Sequence, residues 1–168
     1  MDIFTIHESI TLRAPIERCF ALSTRIELVQ KTLGMTLIGG VTSGYITSES
    51  RVIWRGWKFG LPTTHHTLIT AFEPPHTLTN GKGAFFQDTQ EHGRFAFFQH
   101  DHHFYEEVEA DATPVTTLRD EIHFALPLGP LGHLAAKYLL APHIRKLANQ
   151  RFALIKQLAE GEGWHDCV

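Results

Sequence analysis

The sequence predicts an α+β fold in which a curved antiparallel sheet packs around one long C-terminal helix. Apolar side chains in residues 127–159 recur at three-, four- and seven-residue spacing, which is typical of a helix with one buried face. Most of the chain before residue 127 alternates apolar and polar residues, which is typical of half-buried strands. Because strands and the long helix are segregated along the chain, an α+β domain is the expected architecture.

Length and composition predict one domain that spans residues 1–168. The chain has 168 residues, of which 43% are hydrophobic and 20% are charged, enough to build a substantial core. Its formal net charge is −3, and no run of basic residues occurs. Nucleic acid and anionic membrane surfaces are therefore excluded as main partners.

The two cysteines and the hydropathy pattern indicate a cytoplasmic protein. Cys19 lies in a predicted helix and Cys167 near the C-terminal end, a pattern that gives no disulfide framework. The sequence contains no apolar run of the roughly 18 residues that a membrane-spanning helix needs. The N-terminal residues also lack the basic and apolar regions of a secretory leader. We therefore expect no membrane insertion.

The N-terminal part of the chain predicts one strand followed by two short helices. Apolar and polar residues alternate from Phe4 to Leu12, which indicates a half-buried strand. Pro15 is suited to the start of a short helix. Thr24 and Glu27 have the spacing of a capping box, which predicts a second helix from that point to about Thr32.

The middle of the chain predicts a series of antiparallel strands. Gly56 interrupts the first of them and suggests a bulge. Glycine and polar residues indicate a flexible loop over residues 76–84. The remaining strands are predicted at 51–59 and 65–72, in a hairpin over 85–91 and 94–108 that turns at His92 and Gly93, and at 116–126.

Prolines and glycines mark the limits of the predicted C-terminal helix. Pro130 suits its first turn, and Gly161 and Gly163 end it. Pro142 lies in the middle and removes one backbone hydrogen bond. We therefore expect a kink at Pro142.

Histidines and one aspartate form the most chemically distinctive pattern. Phe98, His100, His102 and Phe104 alternate along one predicted strand, so their side chains share a face. Asp120 shares a face with apolar neighbours on the last strand. An antiparallel register can bring Asp120 beside His100 or His102.

Three interpretations of this pattern stay open. The imidazoles and the carboxylate can form cross-strand hydrogen bonds that satisfy partly buried polar groups. They can act as a general acid/base pair or as a polar anchor for a ligand. They can also bind zinc or iron, although no third histidine or glutamate stands at a diagnostic spacing. The sequence by itself requires neither a metal nor another cofactor.

Several motifs in order resemble the ligand-binding branch of the SRPBCC superfamily, which includes START lipid-transfer domains, the birch-pollen allergen fold and polyketide cyclases. The resemblance covers nearly the whole chain. It is carried by the segment 86–95 with Asp88, Gln90 and Gly93, by His100, His102 and Phe104, by Asp120, by the segment 127–132, by Ala14 to Glu17, by Val52 to Trp54, by Phe59 and Gly60, by Pro74 and Pro75, and by Arg151 to Lys156.

The resemblance implies a helix-grip fold, with about seven strands around the C-terminal helix and a deep apolar cavity between them. It also implies that a small hydrophobic molecule of the lipid, polyketide or aromatic class binds there. The alternative is an enzyme of the polyketide cyclase/dehydratase type, with His100 or His102 as general base and Asp120 orienting the imidazole. An interaction module with a filled core is a third possibility.

Strand parity and the resemblance together give a set of predicted ligand-binding residues. No catalytic residue is carried over from the family. The oligomeric state is left open between a monomer and a homodimer. The predicted cavity wall consists of Trp57, Phe98, His100, His102, Phe104, Asp120 and Tyr138.

Overall fold

A computed structural model describes residues 2–108 and 112–167. Its strands, in chain order, are β1 (Phe4–Leu12), β2 (Thr36–Gly40), β3 (Arg51–Lys58), β4 (Leu61–Leu78), β5 (Gly81–His92), β6 (Phe97–Val108) and β7 (Pro114–Ala125). Its α-helices are α1 (Ile16–Thr24), α2 (Ile26–Leu33), α3 (Gly129–Ala135) and α4 (Ala141–Glu160). A π-helical segment (Ala136–Leu140) joins α3 to α4, and a 3₁₀ turn (Gly163–Asp166) follows α4.

The strands form one antiparallel sheet of seven, in the order β1-β7-β6-β5-β4-β3-β2. Consecutive strands from β2 to β7 are neighbours, and β1 closes the order beside β7. The two short helices follow β1, as predicted. The sheet and the C-terminal helix confirm the predicted α+β, helix-grip architecture.

The predicted flexible loop at residues 76–84 is wrong, because β4 and β5 continue through it as a tight hairpin. Only Thr79 and Asn80 form the turn. Gly81 has a φ of +134°, and a Cβ atom there would lie 2.2 Å from the carbonyl oxygen of Glu106 on β6. The glycine therefore permits close approach of two strands rather than flexibility.

The predicted bulge at Gly56 is also wrong. Pairing of β3 with β4 runs without a shift past Gly56, whereas the irregularity lies on β2 between Leu37 and Gly39. A Cβ atom at position 56 would lie 3.0 Å from the side chain of Met35. A side chain at position 56 would thus force the Met35 side chain to shift by a few tenths of an ångström.

The predicted capping box does not form. Helix α1 extends to Thr24, whose hydroxyl donates to the carbonyl oxygen of Phe20 at 2.9 Å. The Glu27 carboxylate accepts a hydrogen bond from the backbone N–H of Gly44 at 3.0 Å. Helix α2 still begins at Ile26, because the chain turns at Arg25, which has an extended backbone.

The C-terminal helix is interrupted where a kink was predicted. Pro142 lies in the first turn of α4, directly after the π-helical segment. A π-helical turn accommodates an irregular hydrogen-bond pattern, so the discontinuity is a change of helix type. Helix α4 ends at Glu160 with Gly161 as its C-cap, as predicted.

Two clusters of buried side chains form the core. The larger one joins α1, α2 and α4 to the sheet and includes Phe20, Trp54 and Phe152. The smaller one lies beneath the π-helical segment and the start of α4, and includes Phe124 and Ile144. Within the described ranges, no helix has the length and hydropathy needed to cross a membrane.

Candidate functional site

A cavity of about 420 Å³ lies between the sheet and the C-terminal helix. Most of its lining is apolar, from both the strands and α4. Phe59, Leu61 and Leu139 line it and are about half exposed, at 48%, 50% and 51%. These three side chains therefore mark the opening.

Strand register brings four polar side chains together beside this cavity. Asp88 on β5 lies opposite His100 on β6, and His102 on β6 lies opposite Asp120 on β7. Arg151 reaches the same place from α4. We call Asp88, His100, His102, Asp120 and Arg151 the polar cluster.

His102 lies between two carboxylates. Its Nδ1 is 2.9 Å from Asp120 Oδ1, and its Nε2 is 3.1 Å from Asp88 Oδ2. The ring of Phe86 stacks on the imidazole, with 4.0 Å between the ring centroids. These contacts hold the imidazole in one orientation.

Asp120 is buried and paired with Arg151. Arg151 Nη1 donates to both carboxylate oxygens, at 2.9 and 3.2 Å. Burial favours the neutral acid, but the charges of Arg151, His102 and His100 outweigh it and hold the pKa of Asp120 well below its usual range. Burial opposes ionisation of Asp88 as well, yet the hydrogen bond from His102 and the nearby imidazoles lower its pKa. Both carboxylates are therefore ionised at neutral pH.

His100 is held less firmly than His102. Its Nε2 lies 3.2 Å from Asp120 Oδ2 without hydrogen-bond alignment. Burial, and then the neighbouring His102, lower the pKa of His100, so its imidazole is neutral at pH 7. Among the residues that the structure describes, neither His100 Nε2 nor Arg151 Nη2 has a hydrogen-bond partner. His100 Nε2 faces Asp120, so it is Arg151 Nη2 that can bond to a molecule in the cavity.

Solved structures share this architecture. No family model and no curated protein matches the sequence. The di-domain ARO/CYC protein BexL has a TM-score of 0.64 at 12% identity, over 95% of this chain and 50% of BexL. A START superfamily protein from Mycobacterium smegmatis has a TM-score of 0.59 at 13% identity, over 92% of this chain and 98% of that one. For truncated norcoclaurine synthase from Thalictrum flavum the TM-score is 0.56 at 11% identity, over 94% and 93% of the two chains.

This chain has the helix-grip fold of these solved structures. At identities of 11–13%, this likeness shows the fold alone. The sequence resemblance is thus confirmed at the level of architecture.

Three of the predicted wall residues line the cavity of this helix-grip fold. They are Phe98, His100 and His102. Asp120 lies behind the two imidazoles and contacts both of them. Phe104 points the same way as His102, but it is buried against Phe20 in the core and does not line the cavity.

The positions predicted for Trp57 and Tyr138 are wrong. Neither lines the cavity, and 72% and 69% of these residues are exposed. Trp57 alternates with Lys58 on β3, and it is Lys58 that lines the cavity. Tyr138 lies in the π-helical segment, whose changed periodicity turns it outward while Leu139 and Leu140 line the cavity.

Sequence reasoning missed Asp88 and Arg151 as members of the site. Each carried a usable signal. Asp88 follows Ala84 and Phe86 at two-residue spacing, so a carboxylate shares the buried face of β5. Arg151 lies at helical spacing from Ala148 and Ile155, so a guanidinium shares the buried face of α4. Charged residues on apolar faces are rarely unpaired.

Proposed function

We propose that this chain binds a small hydrophobic molecule of the lipid, polyketide or aromatic class in the cavity between the sheet and the C-terminal helix. The observation that carries the proposal is the cavity itself. Its volume of about 420 Å³ falls within the range of sites that bind small molecules, and its lining is mostly apolar with a few polar groups converging at one place. A protein with a filled core would offer no such space.

The polar cluster supports a ligand that carries an oxygen atom. Arg151 Nη2 is buried and lacks a partner within the described part of the chain, so a carbonyl, hydroxyl or carboxylate of the ligand can accept a hydrogen bond from it. Apolar burial then supplies most of the affinity, and this hydrogen bond fixes the orientation. The folds of a START superfamily protein and of an ARO/CYC protein agree with this use of the cavity.

The first test is native mass spectrometry of freshly purified protein, compared with the mass after denaturation. We expect an additional organic mass that is lost on denaturation, and its identity gives the ligand class. If the protein carries no such mass, titration with a fluorescent fatty acid and with an aromatic polyketide is the second measurement. Failure of both probes to bind would contradict the proposal.

A second candidate function is a cyclase or dehydratase reaction that uses a His/Asp pair. His100 favours it, because its imidazole is neutral, lines the cavity and lies against Asp120. A neutral imidazole in that position can remove a proton from a carbon acid. His102 is less suitable as the base, because both of its nitrogens lie within hydrogen-bond distance of carboxylates, whereas His100 Nδ1 lies 3.8 Å from Asp88 Oδ2.

The cyclase candidate is tested with a linear poly-β-ketone and the variant His100→Gln. We expect turnover in the wild type and its loss in the variant, with folding retained by circular dichroism. The control is His103→Gln, on the other face of the same strand. Turnover that His100→Gln leaves unchanged would exclude His100 as the base.

A further inference from the structure

We propose that Asp88, His100 and His102 form a binding site for a divalent transition metal ion, open to the cavity. One ligand atom from each of these residues can be chosen so that all three lie within 4.8 Å of one another. All three side chains line the cavity. The proposal does not rest on the binding of an organic molecule.

The spacing of the donor atoms suits a single ion. Zinc binds imidazole nitrogens and carboxylate oxygens at about 2.0–2.2 Å, so two donors of one ion lie roughly 3–3.5 Å apart. Asp88 Oδ2 lies 3.1 Å from His102 Nε2 and 3.8 Å from His100 Nδ1. Only small side-chain movements are needed to bring all three to bonding distance.

Asp120 orients both imidazoles for this role. It contacts His102 at Nδ1 and His100 at Nε2, at 2.9 and 3.2 Å. These are the nitrogens that point away from Asp88. Histidines that bind metals commonly donate their other N–H to a carboxylate, which fixes the tautomer and directs the free lone pair at the ion. Arg151 in turn holds Asp120 in place.

The ligand set leaves coordination positions free on the cavity side. Two histidines and one carboxylate form catalytic zinc sites and non-haem iron sites, both of which keep open positions. Arg151 Nη2, which lines the same cavity, is available to a molecule bound at such a position. The chemistry of the site therefore suits a ligand with an anionic or carbonyl oxygen.

A second group on the outer face of the sheet provides an internal control. Asp101, His103 and Glu121 also place one ligand atom each within 4.8 Å of one another. Asp101, however, already accepts hydrogen bonds from Gln87 and Gln99. Glu121 pairs with Arg119. Since these acceptors are already used, we expect this group to bind metal far more weakly.

The test is calorimetric titration of Zn²⁺ into the full chain after treatment with EDTA and removal of the chelator. We expect one Zn²⁺ per chain in the wild type. Asp88→Asn should weaken binding at least about 100-fold, and Asp120→Asn about 10–100-fold, the range found for outer-shell carboxylates. His103→Ala should leave the affinity unchanged.

Two outcomes of the calorimetric titration overturn the proposal. One is the absence of stoichiometric Zn²⁺ binding by the wild type, and the other is an affinity that Asp88→Asn leaves unchanged while His103→Ala lowers it. A measurement on the wild type guards against variants that fail to fold. Co²⁺ at this site should give visible ligand-field absorption that one equivalent of Zn²⁺ removes, and absorption that excess Zn²⁺ leaves intact also overturns the proposal.

Discussion

Asp120 is a buried carboxylate whose charge is balanced by Arg151 and two imidazoles. Only 2% of Asp120 and 9% of Arg151 are exposed. Removing both charges from such a pair often costs little, but removing one leaves the other buried without compensation. The two residues should therefore be energetically dependent on each other.

The change that tests this dependence is Arg151→Met. We expect it to lower the free energy of unfolding by about 3–5 kcal/mol, because Asp120 then lacks its guanidinium. Asp120→Leu should cost a similar amount. The double variant should lose much less than the sum of the two, as measured by urea denaturation, whereas additive losses would contradict the interaction.

The two free thiols should differ sharply in reactivity. Cys19 is 0% exposed, and burial raises the pKa of its thiol to about 12, so almost no thiolate forms at pH 8. Cys167 is partly exposed. We expect one fast thiol in the native protein with a disulfide reagent, and a second only in denaturant. Cys167→Ser should abolish the fast reaction, and a fast reaction that persists in this variant would contradict the assignment.

His65 should make stability depend on pH in mildly acidic solution. Burial lowers the pKa of His65, against a smaller opposing effect of Asp88, so the folded state resists protonation. The contribution of His65 to stability is constant above about pH 6.5, the pKa of histidine in the unfolded chain, and falls as the pH decreases towards its pKa in the folded state.

We expect His65→Gln to reduce the slope of the free energy of unfolding against pH, by up to about 1.4 kcal/mol per pH unit. Urea denaturation at a series of pH values from 5 to 8 measures this slope. His100 and His143 also have lowered pKa values, so part of the slope should remain. The matched change His76→Gln, at an exposed site, should leave the slope as in the wild type.

At the scale of elements, the entry into α3 depends on one tight backbone approach. A Cβ atom at Gly132 would lie 1.9 Å from the carbonyl oxygen of Pro127, and a backbone atom cannot rotate away as a side chain can. Gly129 has a φ of +53° but open space around it. Gly132 is thus required because any side chain there would clash with the backbone, whereas Gly129 is favoured only because its backbone is left-handed.

Gly132→Ala should therefore destabilise the protein more than Gly129→Ala does. We expect Gly129→Ala to lower the free energy of unfolding by about 1–2 kcal/mol, the penalty of a left-handed backbone. Gly132→Ala should lower it by more. Thermal and urea denaturation of both variants compare the two. Equal losses would show that α3 shifts freely away from Pro127.

At the scale of the whole molecule, the cavity exists because the sheet curves away from the helix without filling the space. Thr67 on β4 lines the cavity, whereas Thr64 on the same strand faces outward and is exposed. Replacing each with tryptophan adds the same volume on opposite faces.

Thr67→Trp should weaken binding of the apolar dye ANS by at least about tenfold, because the indole occupies the space that the dye requires. Thr64→Trp should bind the dye like the wild type. Fluorescence titration measures both affinities. A similar loss in both variants would place the dye outside the cavity.

Local patterns in the sequence predicted six of the seven strands, all but β2, together with the two short helices and one neighbour relation within the site. Period-two alternation placed His100 and His102 on one face, and the register sets His102 directly opposite Asp120, as parity allowed. Tight glycine contacts escaped prediction, since the partner atom at Gly56 belongs to a residue distant in sequence.

The sequence by itself determined the order of the elements apart from β2, the α+β class and the shared face of His100 and His102, because these follow from periodicity within single segments. Only the tertiary structure decided which groups meet. Asp88, His102, Asp120 and Arg151 come from three strands and a helix, and their contacts depend on strand register and on the rotation of α4 after the π-helical segment. The π-helical segment also directs Tyr138 out of the cavity. A change of helix type alters the angle around the helix axis between side chains on either side of it.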